Sequence, residues 1–209
     1  MIDTPITIET MHPKYNGQLS RLLVYGFRGK FQTYTNLTDD KLALFFEKLL
    51  NAFPLEPASH RVIALQNNKL IGSLAIKWKP EAELKQEKQN FSLWDLFKLF
   101  DKWDLFKLFL SLYFLNHTPK PKECYIADVS VHPAYRGKGI GRLLLQWALQ
   151  YVRNDPKLNV LSLHVAGKNT KAKHLYEQLA FQTHYQKTSF IRYFLFNERK
   201  WDYMMLPLK

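Results

Sequence analysis

The stretch Arg136-Gly137-Lys138-Gly139-Ile140-Gly141-Arg142 carries the densest chemistry in the chain. An apolar run ends at a turn holding Pro133 just before it. An apolar helical series follows: Ile140, Leu144, Trp147, Ala148 and Tyr151. Glycines let the main chain approach a ligand with no Cβ in the way. Free N–H groups at a helix start point at that ligand, and the helix dipole favours negative charge there. Arg136, Lys138 and Arg142 add side-chain cations. Physically this is a cradle for two linked phosphates. A triphosphate loop of the form Gly-x-x-x-x-Gly-Lys-Ser/Thr does not fit, since His132 stands five before Gly137 and Gly139 follows Lys138. A dinucleotide fingerprint, Gly-x-Gly-x-x-Gly, would have Arg142 in its last place and fails as well. Taken alone, the loop also reads as a glycine-rich turn capping a helix.

A second reactive group lies on the alternating run Leu161-Ser162-Leu163-His164-Val165. Leu161, Leu163 and Val165 face one way, so Ser162 and His164 share the other face. Cys124 is the only cysteine, which excludes an internal disulfide. The seven histidines show no metal spacing such as His-x-x-x-His on one helix, and no metal is expected.

The elements that must position these groups can be read from periodicity. Ile6 to Ile8 alternates as a short strand, and Leu19, Leu22 and Leu23 mark a helix from about 17 to 25. A glycine-bracketed aromatic loop is expected over 26–31. Thr38-Asp39-Asp40 opens a second helix with Pro54 beyond its end. The runs 61–66 and 70–78, separated by Asn67-Asn68-Lys69, read as a hairpin. A charged linker spans 80–90 and an aromatic segment 91–115. Strands are expected over 124–131, 159–165, 181–187 and 203–206, with helices over 139–153 and 170–179. Strands that first pair locally and then alternate with helices indicate an α/β (α+β) fold with a mixed sheet.

With 209 residues, 46% of them hydrophobic and 23% charged, the chain suits one domain with a real core. Its formal charge of +12 is spread without a basic run, which suits an anionic ligand or simple solubility. There is no signal-like start and no window of 18 apolar residues, so a cytoplasmic protein without a membrane span is expected.

The loop and a downstream segment together resemble the GNAT superfamily of N-acetyltransferases. Arg136-Gly137-Lys138-Gly139-Ile140-Gly141 is similar to that family's Arg/Gln-x-x-Gly-x-Gly/Ala, with Val129-Ser130-Val131-His132-Pro133 as its strand-and-turn lead-in. Asn169-Thr170-Lys171-Ala172-Lys173-His174-Leu175-Tyr176-Glu177-Gln178-Leu179-Ala180-Phe181 is similar to its Asn-x-x-Ala-x-x-Leu-Tyr-x-x-x-Gly-Phe. The likeness is closest over about 123–206. It implies a mixed central sheet of six to seven strands flanked by helices, with two parallel strands parting to admit the pantetheine arm of acetyl-CoA. Residues 80–121 would be an insertion in a single domain over 1–209. The resemblance further implies that Val129, Ser130 and Val131 bind the arm and Arg136 to Gly141 the pyrophosphate, with Arg142 beside it. Asn169 would contact the cofactor near its pantetheine or phosphate.

The implied reaction is acetyl transfer from acetyl-CoA to a primary amine by direct attack. A lysine-like amine has a pKa of ~10.4 and an α-amine ~8, so a base must help at pH 7. A backbone N–H of the splayed strand, that of Val131, could stabilise the tetrahedral oxyanion. Tyr176 resembles the family's acid, protonating the departing thiolate; as a plain helix aromatic it would simply pack on the sheet. His164 is the candidate base, since some relatives carry a glutamate at the matching position. Asp128 on the neighbouring strand and ordered water are the alternatives. Ala180 stands where the family has glycine, and alanine would strain a positive φ there.

Trp94 to Phe100 recurs unchanged as Trp103 to Phe109. An offset of nine turns a helix by about half a revolution, so a break near Asp101-Lys102 is expected, each half burying an aromatic stripe. Three Asp and three Lys over 91–115 leave no net charge to draw it to anionic lipid. Packing on the domain or a homodimer is the expected use. The loop 26–34 and the stretch 187–201 are aromatic and basic, which suits an acidic or apolar acceptor. Two rivals remain: a non-catalytic acyl-CoA-binding module, and a nucleic-acid binder using the positive charge.

Overall fold

Asn67 and Asn68 both adopt the left-handed conformation, φ 51° and 59°, the geometry a tight hairpin turn requires. They join β2 (Ser59–Gln66) to β3 (Lys69–Trp78) as the sequence predicts. The chain is described by a computed structural model covering residues 4–31, 35–53, 58–80 and 93–209. Most of the charged linker read over 80–90, and Pro54, lie outside these residues.

The remaining strands are β1 (Thr7–Thr10), β4 (Glu123–Val131), β5 (Val160–Ala166), β6 (Gln182–Thr188) and β7 (Lys200–Pro207). They form one mixed sheet of order β1-β2-β3-β4-β5-β7-β6. Among the described residues only the central pair β4–β5 is parallel; the other pairings are antiparallel. The seven strands among the described residues match the expected six to seven.

On one face pack α5 (Ile140–Asn154) and α6 (Thr170–Gln178). Leu144, Leu145, Ala148 and Val152 of α5 are fully buried against Ile71, Leu74, Ile126 and Leu163. On the other face lie α1 (Asn16–Phe31), α2 (Asp39–Ala52), α3 (Leu93–Leu99) and α4 (Lys102–Leu115). Thr38 caps α2 by accepting from the Lys41 amide at 3.3 Å, replacing one orphaned bond at the helix start.

The expected loop after Tyr25 is instead the continuation of α1. Gly26 serves close packing there: a Cβ at this position would collide with Ser130 Oγ on β4. The expected break in the aromatic segment is present. Asp101 caps α4 by accepting from the Trp103 amide at 2.8 Å. The aromatic stripe is buried only in part: Trp94 and Trp103 are 75% and 70% exposed, while Leu96, Leu105 and Phe100 are buried and Phe109 packs its ring on Phe45. The break resets helical phase, so both copies of the repeat turn the same leucine inward and the same tryptophan outward. The stretch 187–201 also holds an unexpected helix, α7 (Phe190–Phe196), capped by Ser189, whose Oγ accepts from the Arg192 amide at 3.3 Å. Among the described residues, no helix is long and apolar enough to cross a membrane.

Candidate active site

β4 and β5 are paired only from Glu123 with Val160 to Ile126 with Leu163. Beyond that vertex they part, and a cavity of about 120 Å³ opens between Ala127–Ser130 and His164–Ala166. At the vertex the register of β3 on β4 slips, so that Ala75 faces Asp128 and Ile76 faces Ile126. Ala127 is the extra residue of this bulge and has no ladder partner. His132 donates its N–H to Ile71 O at 2.9 Å. Backbone groups alternate in direction along an antiparallel ladder, so Val129 and Val131 turn theirs towards the side that β5 has left. Ser130 Oγ is buried with no hydrogen-bond partner among the described residues.

The glycine loop closes the wide end of this cleft. Gly137 and Gly139 hold φ of 76° and 81°, and a Cβ on either would meet nothing within 4 Å. Gly139 is the N-cap of α5 and supplies no side-chain bond, which leaves the first-turn amides, those of Ile140, Gly141 and Arg142, facing open space. Of the three cations, Lys138 stands over the Tyr135 ring, 5.2 Å from its centroid. Arg142 donates to Gln178 Oε1 at 2.5 Å, linking α5 to α6. Arg136 does not point at the loop: its Nε donates to Val131 O at 3.2 Å and its Nη2 reaches Tyr25 O at 3.5 Å, bracing α1 on β4.

Asn169 caps α6 by accepting from the Ala172 amide at 3.3 Å. Lys173 pairs with the buried Asp202 of β7 at 2.6 Å, pinning the helix to the sheet. Tyr176 thereby lines the cleft along with Asn169. Burial pushes its phenol up to about 12, so it keeps its proton at neutral pH. The helix ends with Phe181 donating to Tyr176 O at 3.0 Å and Ala180 at φ 67°, the left-handed cap that usually takes glycine.

His164 lies on β5 just past the vertex, its Nδ1 3.1 Å from the Tyr125 hydroxyl. Burial first, then the neighbouring His117 and Arg192, lower it to about 4, so its ring is neutral at pH 7. Asp128 has both oxygens committed to Arg61, at 2.8 and 2.6 Å. Behind His164 lies a buried polar cluster that the sequence did not reveal. Glu123 accepts from the Lys120 amide at 2.6 Å, from Tyr203 at 2.7 Å, and from Ser162. His117 Nε2 lies 3.2 Å away. Burial alone would raise Glu123, but these hydrogen bonds outweigh it and hold the carboxyl down to about 2. The signal was only partial: Glu123 and Tyr125 alternate on one strand as Ser162 and His164 do on the next, but His117 lies in the irregular stretch before β4 and Tyr203 comes from 80 residues away. Among the described residues, no group of His, Cys, Asp and Glu could hold a metal ion.

Comparison with known proteins fits this geometry. The chain is 36% identical over 74 residues to the mycothiol acetyltransferase of Rhodococcus erythropolis, covering 35% of this chain and 24% of that one. It is 41% identical over 54 residues to the spermidine N(1)-acetyltransferase of Vibrio cholerae, covering 26% and 31%. The chain thus spans about a quarter to a third of the length of these relatives. A GNAT-family acetyltransferase structure from Desulfovibrio desulfuricans superposes with a TM-score of 0.62 at 14% identity, covering 98% of this chain and all of that one. The sequence model of the Acetyltransferase (GNAT) family matches residues 30–181, which take in the parted strands, the glycine loop and the Tyr176 helix, and the chain belongs to that family.

Proposed function

We propose that this protein transfers the acetyl group of acetyl-CoA to a primary amine by direct attack. One observation carries the reading: the parallel strands β4 and β5 part beyond Ile126 and Leu163, and the cleft so made runs to a loop of unpaired amides at the start of α5.

The residues present suit coenzyme A. The outward-turned backbone of Val129, the N–H of Val131 and the unpartnered Ser130 Oγ offer hydrogen bonds to an extended amide-bearing arm, the Val131 carbonyl being held by Arg136. The open space outside Gly137 and Gly139, with the amides of Ile140, Gly141 and Arg142, suits two phosphates. Lys138 and Arg142 stand ready to add charge, and Arg136 holds α1 against the cleft wall. Asn169 keeps its Nδ2 donor available while its Oδ1 caps α6. The thioester of acetyl-CoA would supply the activated acyl group.

His164 is then the base at the vertex, neutral over the working range. Asp128, locked in a bidentate pair with Arg61, is better read as a positioning group for β2 and β4. Tyr176 is the acid for the departing thiolate. The oxyanion donor is better sought at Ala127, beside the vertex, than at Val131, which stands at the loop end of the cleft.

Thermal unfolding with acetyl-CoA tests the binding step; ligand at 100 times its dissociation constant adds ~2.7 kcal/mol. Thiol release with an amine panel tests the transfer. Absence of both would remove the reading.

A further inference from the structure

We infer that the acceptor is a primary amine carried on a single aromatic or branched apolar body, seated in a second cavity that the inserted helix α4 walls. The inference rests on the transferase reading above and concerns where the amine enters and what it is attached to.

This cavity measures about 480 Å³, within the ~300–1,000 Å³ typical of small-molecule sites. Leu50 and Phe53 at the end of α2 form one side, and Leu112 and Tyr113 of α4 form the other. Phe27 and Ala127 line this cavity and the cleft alike. The two spaces therefore adjoin at the vertex, where Tyr125 lines the larger and its partner His164 the smaller. An amine entering through the larger cavity arrives where β4 and β5 part.

The lining decides the class. Among the described residues around the cavity there is no Asp or Glu; the charged ones are Arg61 and Lys77. A polyamine would bring a second ammonium beside Lys77 and the Asp128-paired Arg61, with no carboxylate among the described lining residues to receive it, and so would lose water without gaining a partner there. An acidic body gains little as well. Arg61 is held by Asp128 at 2.6 and 2.8 Å, and Lys77 Nζ donates to Asn116 Oδ1 at 2.5 Å. Beside the uncharged polar groups of Ser59, His60 and Asn116, the rest of the described lining is apolar and aromatic. Phe53 and Tyr113 are 53% and 74% exposed at the rim, large faces positioned to stack on a flat ring. Tyr113 and Leu112 belong to the insertion, so the insertion supplies one wall of the acceptor site.

Calorimetric titration of the coenzyme-A-loaded protein with tryptamine, phenylethylamine and spermidine tests this independently of turnover. The two aromatic amines are expected to bind at least about tenfold tighter than spermidine, the scale of discrimination an apolar pocket gives. Tyr113→Asp and Phe53→Asp, at exposed positions and checked by thermal melting, should each weaken tryptamine by about tenfold or more and narrow the gap to spermidine. Coenzyme A affinity should stay as in the parent. Spermidine binding as tightly as tryptamine, or both variants leaving tryptamine untouched, overturns the pocket assignment while the transferase reading stands. Tight tryptamine binding with no thiol released from acetyl-CoA sinks the transferase reading while the pocket stands.

Discussion

The Tyr125 hydroxyl and Nδ1 of His164 lie 3.1 Å apart, and this contact ties the neutral imidazole of one parted strand to the other. For Nε2 to accept the proton of the amine, Nδ1 must carry the ring's hydrogen and donate it to the Tyr125 oxygen, and that bond then fixes the ring's orientation. Burial, reinforced by His117 and Arg192, lowers His164 to about 4, so it needs no deprotonation at any pH above that. The pH dependence of kcat/KM should therefore show no break near the ordinary histidine value of ~6.5, rising instead with deprotonation of the amine itself towards ~8–10. His164→Ala should lower kcat/KM by about 10²–10³ without moving that limb. A wild-type break near 6.5 that vanishes in the variant would contradict the assignment.

Tyr176 is the second group on which the proposed reaction calls. Its phenol, raised to about 12 by burial, donates at every pH where the protein works. Tyr176→Phe should reduce kcat by about 10²-fold or more, the contribution of a positioned acid, with the dissociation constant of acetyl-CoA unchanged. Single-turnover thiol release separates the two quantities. Full activity in this variant would return Tyr176 to the role of a packing aromatic against Phe181, whose ring centroid lies 5.9 Å away.

Glu123 should dominate the acid end of the stability curve. Its carboxyl is at about 2 in the folded chain against 4.5 ordinarily, a difference worth about 3 kcal/mol. The sign follows from which state binds the proton: between these values the unfolded chain takes it up and the folded chain does not. The stabilisation is thus fully present above about 4.5 and is lost as pH falls towards 2. His164 adds to the same trend over a higher window, from 6.5 down to about 4, because there too only the unfolded chain binds the proton. Urea unfolding of the parent and Glu123→Gln at pH 7, 5 and 3 checks this. The gap between them should be widest at pH 7 and shrink at pH 3; a constant gap would mean the hydrogen bonds to Ser162 and Tyr203 matter for packing alone.

The sequence made the glycine loop and the α6 segment legible because each packs its determinants into about a dozen consecutive residues. The sheet was equally readable, since β2–β3 and β4–β5 announce themselves by turn chemistry and alternation. What escaped depends on contacts far apart in the chain. Tyr203 reaches Glu123 from 80 residues away, and the Arg61–Asp128 pair joins positions 67 residues apart. Gly26 looked like a loop signal and proved to be a point of close helix packing on Ser130. The aromatic repeat misled for a different reason. Its tryptophans face outward while Leu96, Leu105 and Phe100 meet the core, and periodicity cannot say which apolar type faces inward.

Ala180 offers a test of local strain that leaves the chemistry alone. Its φ of 67° costs an alanine about 1–2 kcal/mol relative to glycine. The chain tolerates this because the turn is fixed from both sides: Phe181 donates to Tyr176 O at 3.0 Å, and Ala180 to Glu177 O at 2.9 Å. Ala180→Gly removes the strain but gives the unfolded chain more freedom, which offsets roughly 0.4–1 kcal/mol. The net expectation is a gain of about 0.5–1 kcal/mol, or a few degrees in Tm. Because the position is solvent-exposed, no packing change competes with this effect. A fall in Tm for Ala180→Gly would show that the helix end is held in a different conformation, and with it the placement of Tyr176 one turn earlier would need revision.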